Sequence, residues 1–324
     1  VQRDSQKGAG VARAETDPGP RAPRRFRAGG RRFRMAAAIC ALFLALAAAG
    51  AARVLEPSGA SAAPSNSGPK VVALTPFAAN SMALMGVFPE AIGQTLGGDR
   101  RYVSGLRTTP RIPMSHPNGP NMEQLLTYGP NLIFSSPQWA AGRDAMEQIA
   151  GRVVNADPSS IAGSYRKVSE IARLLGRKAR GERLVSQMKR SVRQNTRGIS
   201  SRPRVMLILG VGRTPWAFLE DSWGGEIVRR AGGRLLTGGA SGRGFARISN
   251  EVVIAENPEV IIAVPHANAD EITPELKAQL AEQWAGTGAA DSGRIYFSDD
   301  NSLLQAGTDI GTTIRKVRRF LGNG

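Results

Sequence analysis

This 324-residue chain has two imidazoles, those of His116 and His266. Such a group exchanges a proton near neutrality or bonds a transition metal. His266 follows Val260-Ile261-Ile262-Ala263-Val264 and Pro265, which sets it beyond a strand's carboxyl end, where open α/β sheets gather ligands. His116 lies in a second loop predicted beside the same cleft. Trp139 comes after the loop Ser135-Ser136-Pro137, and Trp216 after Gly210-Val211-Gly212. Each is positioned either to stack on a flat ligand in a cleft or to pack into a core.

Other chemistries are poorly provided for. Gly210-Val211-Gly212 follows a strand, but position 215 is Pro and no third glycine opens a helix, so a dinucleotide loop is not supported. No spacing argues for a Ser-His-Asp set or a carboxylate pair, and two histidines leave little for a hydrolytic metal site. A binding protein is expected, not an enzyme. The single cysteine, Cys40, lies within the apolar run 35–52 instead of closing it, so lipid attachment there is not expected. Beyond that run no thiol remains for disulfides, thiolate ligands or nucleophilic catalysis.

The formal charge of +17 is unevenly spread: residues 1–62 hold 11 Lys+Arg against 4 Asp+Glu, which leaves +10 for the rest. Residues 1–62 run from a basic stretch ending Arg31-Arg32-Phe33-Arg34, through the apolar run, to the small residues Ala60-Ser61-Ala62. This order is that of an export signal, with an uncleaved membrane anchor as the other reading. The paired arginines Arg24-Arg25 and Arg31-Arg32 allow a twin-arginine route. Export and the lack of a recognition motif oppose a nucleic-acid partner. A linker at 63–69 leads to the folded part.

From residue 70, short apolar strands alternate with helical periodicity, which implies α/β architecture with mainly parallel sheets. One segment runs Asn121-Met122-Glu123 and reaches Pro130-Asn131-Leu132-Ile133; another runs Ser249-Asn250-Glu251 and reaches Pro258-Glu259-Val260-Ile261. Glu precedes Pro by seven positions in both. In each, a capping residue opens a short helix, Glu occupies its first turn, and a buried strand follows. Helix-dipole preference alone accounts for one such Glu; the shared order into both strands implies duplication and two similar lobes. They are expected at 70–163 and 203–324, joined by a helical segment over 164–196 that breaks at Gly176. The second helix of that segment, 178–195, is about 27 Å long at the usual rise. Its arginines are read as a solvated face.

These features together resemble a known family. Val71-Val72-Ala73-Leu74-Thr75-Pro76, the two Glu-to-Pro segments, Gly224-Gly225-Glu226 through Ala231-Gly232-Gly233, and Gly293-Arg294-Ile295-Tyr296 are similar to periplasmic-binding-protein-like ABC substrate-binding proteins of the siderophore, cobalamin and haem class. The resemblance covers about 70–321. It implies two α/β lobes joined by one long helix, a ligand cleft between them, and a monomer that delivers its ligand to a membrane permease and its ATPase. It assigns Glu123 and Glu251 to docking on that permease. Val264-Pro265-His266-Ala267-Asn268-Ala269 is similar to the C-lobe ligand loop of haem-binding proteins of staphylococcal and streptococcal iron uptake, and Pro113-Met114-Ser115 to their methionine loop. The resemblance therefore implies haem as transported ligand, with Met114 and His266 as axial ligands. His116-Pro117-Asn118-Gly119-Pro120 lengthens the methionine loop, which makes His116 the alternative second ligand. A ferric siderophore or a corrinoid is the alternative cargo.

Overall fold

The computed structural model describes residues 68–94, 101–210, 214–264, 273–298 and 300–322. The expected leader, most of the linker and His266 lie outside the described residues.

The folded part opens with β1 (Val71–Ala73), a β-branched run buried along its whole length, as an interior parallel strand requires. Thr75 caps α1 (Pro76–Leu84): its hydroxyl accepts from the Ala78 N–H at 3.1 Å, and Pro76 starts the helix with φ already fixed. Then come β2 (Ala91–Gly93), β3 (Arg111–Ile112), a hairpin of β4 (Met114–Ser115) and β5 (Gly119–Pro120), α2 (Met122–Thr127), β6 (Leu132–Ser135), α3 (Arg143–Ala150) and β7 (Val153–Asn155). The first sheet has the order β3-β2-β1-β6-β7, with parallel neighbours throughout.

Next come α4 (Ile161–Leu174) and α5 (Lys178–Asn195), at the positions that apolar spacing indicates. Gly176, at φ 64°, makes the break between them, so the joining segment is a packed helix pair whose longer member is α5.

The second half contains β8 (Arg204–Leu209), β9 (Trp216–Phe218), α6 (Trp223–Arg230), β10 (Arg234–Leu236), β11 (Phe245–Arg247), α7 (Asn250–Glu256), β12 (Val260–Val264), α8 (Pro274–Gln283), α9 (Gly288–Asp291), β13 (Ile295–Phe297) and α10 (Ile310–Phe320). Its sheet has the order β11-β9-β8-β12-β13, with β10 paired to the first half of β8. Strands β8, β10, β12 and β13 are parallel, while β9 and β11 form an antiparallel margin.

The sequence repeat is also a topological one. In the first sheet β6, which follows α2, lies between β1 and β7; in the second β12, which follows α7, lies between β8 and β13. Gly129 and Asn257 occupy matching positions before Pro130 and Pro258, and both have positive φ, 52° and 44°. A left-handed residue there ends the helix and turns the chain into its strand.

Each half has an apolar cluster of its own, and a larger one is shared between them. The shared cluster takes residues from β1, α1, α4, α5, β8, α6, β12 and α10, and residues Ala63–Gly324 form one compact unit. Among the described residues, no helix is long and apolar enough to cross a membrane.

Candidate functional site

Strands β6 and β7 are neighbours in register, with Ser135 beside Asn155, so the residues just past their ends are brought together. Ser136 and Asp157 meet there: the Ser136 hydroxyl donates to Asp157 Oδ2 at 2.7 Å, while the Asp157 N–H donates to Asn155 Oδ1 at 3.0 Å. Ser160 then caps α4, accepting from the Gly163 N–H at 3.0 Å. Opposite these residues lie the turn after β9, the first turns of α6, and the start of β11. Between them is a cavity of about 630 Å³, lined from the first half by Ser136–Gln138 and 157–160, and from the second by Glu220, Asp221, Trp223, Glu226, Arg243 and Phe245 among others. A space of this size falls within the usual range for small-molecule sites.

The wall is rich in charge. It carries four carboxylates, Asp157, Glu220, Asp221 and Glu226, and two guanidiniums, Arg229 and Arg243. Arg229 lies 3.6 Å from Glu220 and Arg243 lies 3.8 Å from Asp221, both at partly or fully exposed positions where such pairs are weak. Glu226 ties the halves together, because one of its oxygens accepts from the Ile161 N–H on α4 at 2.8 Å. Asp157 differs from the other three. Part of its surface reaches the cavity, but it is set deeply enough that burial raises its carboxyl above the usual value of 3.8, against the opposing hydrogen bond from Ser136.

A second contact crosses between the halves. Arg101, only 5% exposed, donates from Nη2 to the Gln305 carbonyl at 3.0 Å. Near it, burial pushes the Asp300 carboxyl up, but hydrogen bonds from Ser302 and the charges of Lys316 and Arg101 more than reverse this, so the net shift is downward. Trp223 is held rigidly on the wall by its indole N–H, which donates to the Ser302 carbonyl at 2.9 Å.

The residues expected to bind or stack are distributed otherwise. Trp139 is 9% exposed and packs in the first half's outer cluster with Met146; the bend at Trp139 in the 3₁₀ segment Pro137–Gly142 turns the ring inward, and Gly119 leaves room for it. Trp216 is 41% exposed on β9, with the Arg247 guanidinium 5.4 Å above its ring. Neither lines the cavity, whose aromatic walls are Trp223 and Phe245. The lengthened methionine loop is the β4–β5 hairpin. Met114 is half-buried on it against the same cluster as Trp139, and His116 is exposed at its turn, followed by a cis bond to Pro117. Glu123 and Glu251 are exposed on α2 and α7. Glu251 titrates below the usual glutamate value because the Ser249 side chain and its own backbone N–H hydrogen-bond its carboxylate.

Sequence reasoning passed over Asp157, Trp223 and Phe245. For Asp157 a signal existed, since Asn155-Ala156-Asp157 follows the strand run Val153-Val154 and so lies at a strand's carboxyl end.

A family model described as periplasmic binding protein matches residues 71–302. The chain belongs to the periplasmic binding protein family. That membership makes it a solute binder, in agreement with the expectation of no catalysis. A curated relative, the high-affinity heme uptake system protein IsdE of Staphylococcus aureus (strain MRSA252), is 20% identical over 192 residues, which is 56% of this chain. The match spans only 64% of that relative's length. Among solved structures, the periplasmic heme-binding protein RhuT from Roseiflexus sp. RS-1 in apo form superposes with a TM-score of 0.64 at 22% identity, covering 79% of this chain and 99% of that one. The periplasmic catecholate-siderophore binding protein VctP from Vibrio cholerae gives 0.60 at 16% identity, covering 79% and 94%. Such likenesses establish the fold, two α/β halves with the cleft between them.

Proposed function

We propose that this chain is the extracytoplasmic solute-binding component of an ABC importer, and that it carries an iron porphyrin, haem, to the permease. The observation that supports this most is the cavity walled by both halves, with strand-end residues on one side and Trp223 and Phe245 among the residues on the other. Similarity to heme-uptake and heme-binding proteins supports the choice of ligand. In this reading His266, two residues beyond β12 in the sequence, bonds the iron from one half. Met114 on the β4–β5 hairpin supplies the second bond, with His116 as the alternative. Thioether with imidazole is an established ligand pair for haem iron and favours its reduced state relative to two imidazoles. Glu123 and Glu251 carry the docking contacts with the permease; exposed charges of this kind orient an encounter more than they tighten it.

A second reading, a ferric siderophore or a corrinoid, draws on a specific observation. Neither Met114 nor His116 lines the cavity, and a siderophore whose iron is already saturated needs no donor from the protein. Tryptophan fluorescence separates the two, because Trp223 is among the residues lining the cavity. Haemin, a ferric catecholate and cobalamin are titrated into the protein separately. Saturable quenching by haemin alone is the expected outcome; quenching by the catecholate or cobalamin alone transfers the assignment to that chelate.

A further inference from the structure

The repeat that carries Glu123 and Glu251 also repeats an apolar feature. Among the described residues, the large hydrophobic side chains standing in solvent are Leu84, Phe88, Leu126, Trp216 and Ile254. Two of these five occupy the same place in the two copies of one motif. Leu126 is three residues after Glu123 on α2 and 63% exposed; Ile254 is three residues after Glu251 on α7 and 40% exposed.

Helix geometry makes each pair a single patch, since residues three apart are neighbours on one face. The residue just before each aliphatic one turns the other way. Leu125 is buried in the core of the first half, and Val253 in that of the second. The helices are fixed at both ends, by Asn121 and Ser249 as caps and by the left-handed Gly129 and Asn257 before proline. Each carboxylate and its aliphatic neighbour are therefore held on a short, rigid element. A lone exposed leucine needs no explanation. The same exposure at the same register of a duplicated helix, beside the same acid, does.

We infer that Leu126 and Ile254 are contact residues of the permease-docking surface, each filling an apolar socket beside the cation that meets Glu123 or Glu251. This deepens the docking role proposed above and rests on it. Charge favours the permease over a second copy of this chain. A two-fold contact of a patch with itself would set carboxylate against carboxylate, whereas the sequence from residue 63 onward has an excess of +10 that repels other basic surfaces and leaves the two acidic spots to choose the partner. Two matching patches suit a partner whose halves present the same socket twice.

The test uses the folded unit, residues 63–324, and the permease–ATPase complex that accepts it, held in nanodiscs. Binding is measured for Leu126→Ser, Ile254→Ser and the double variant, for Glu123→Ala with Glu251→Ala, and for Leu84→Ser with Phe88→Ser as a control at other exposed apolar positions. Unchanged melting of each variant shows that the fold is kept. Because contact area converts only in part into affinity, every single apolar change is expected to weaken docking about fivefold and the double, if the two add, about twenty-fivefold, with the control at wild-type affinity. Weakening by the glutamate variants with none by the apolar ones overturns this inference and leaves the docking role standing. Wild-type affinity in both sets removes the docking role as well. Sedimentation showing a dimer that Leu126→Ser and Ile254→Ser abolish overturns the assignment to the permease.

Discussion

At the scale of single residues, Asp157 sits where its charge is penalised. Burial raises its carboxyl above 3.8, so across the interval from that value up to the folded one, the folded chain keeps a proton that the unfolded chain has released. Stability must therefore fall as pH rises through that interval. Asp157→Asn keeps an oxygen for the Ser136 hydroxyl and removes the titration. Its melting temperature is expected to vary less with pH above 4 than the wild type's, and at neutral pH to equal or exceed it. Thermal melts across a pH series check this, and a variant with an unaltered pH slope would sink the assignment. Asp300 acts in the opposite sense: its carboxyl is held low, so its contribution is present above the usual value and lost as pH falls. Neither environment could be read from the sequence. The Ser136–Asp157 contact spans 21 positions and exists because β6 and β7 pair in one register.

At the scale of elements, much was legible. Gly176 marked the break between α4 and α5, and the Glu-to-Pro echo marked the matching helix–strand units, because both depend on local periodicity and on turn residues. The close approach of α4 and α5 was less visible. Gly181 reads as a poor helix residue, yet a Cβ built there comes within 2.3 Å of Ala172 Cβ, so the glycine is what lets the helices touch. Gly181→Val is expected to lose about 1–3 kcal/mol of stability through overpacking, measurable by urea unfolding. A loss below that range would show that the pair parts freely. The two tryptophans mark the limit of local reasoning. Trp139 and Trp216 follow strands as ligand-facing residues do, but one ring is turned inward over Gly119 and the other lies under Arg247. Side-chain direction after a strand depends on the loop's dihedral angles, which residue type does not specify.

At the scale of the whole molecule, several contacts join the halves. The halves share an apolar cluster, Glu226 on α6 binds the N-terminus of α4, and Arg101 binds carbonyls after β13. Contacts that already hold the cavity walls together lower the ordering cost of binding. The proposed haem bond from His266 is the contact on which the reading of this cleft depends. Visible absorption of residues 63–324 titrated with haemin tests it most directly, beside the same titration of His266→Ala. A shifted Soret band that saturates at one haem per chain and is lost in the variant is the expected result. An identical band in both proteins, or none in either, would contradict the proposed bond.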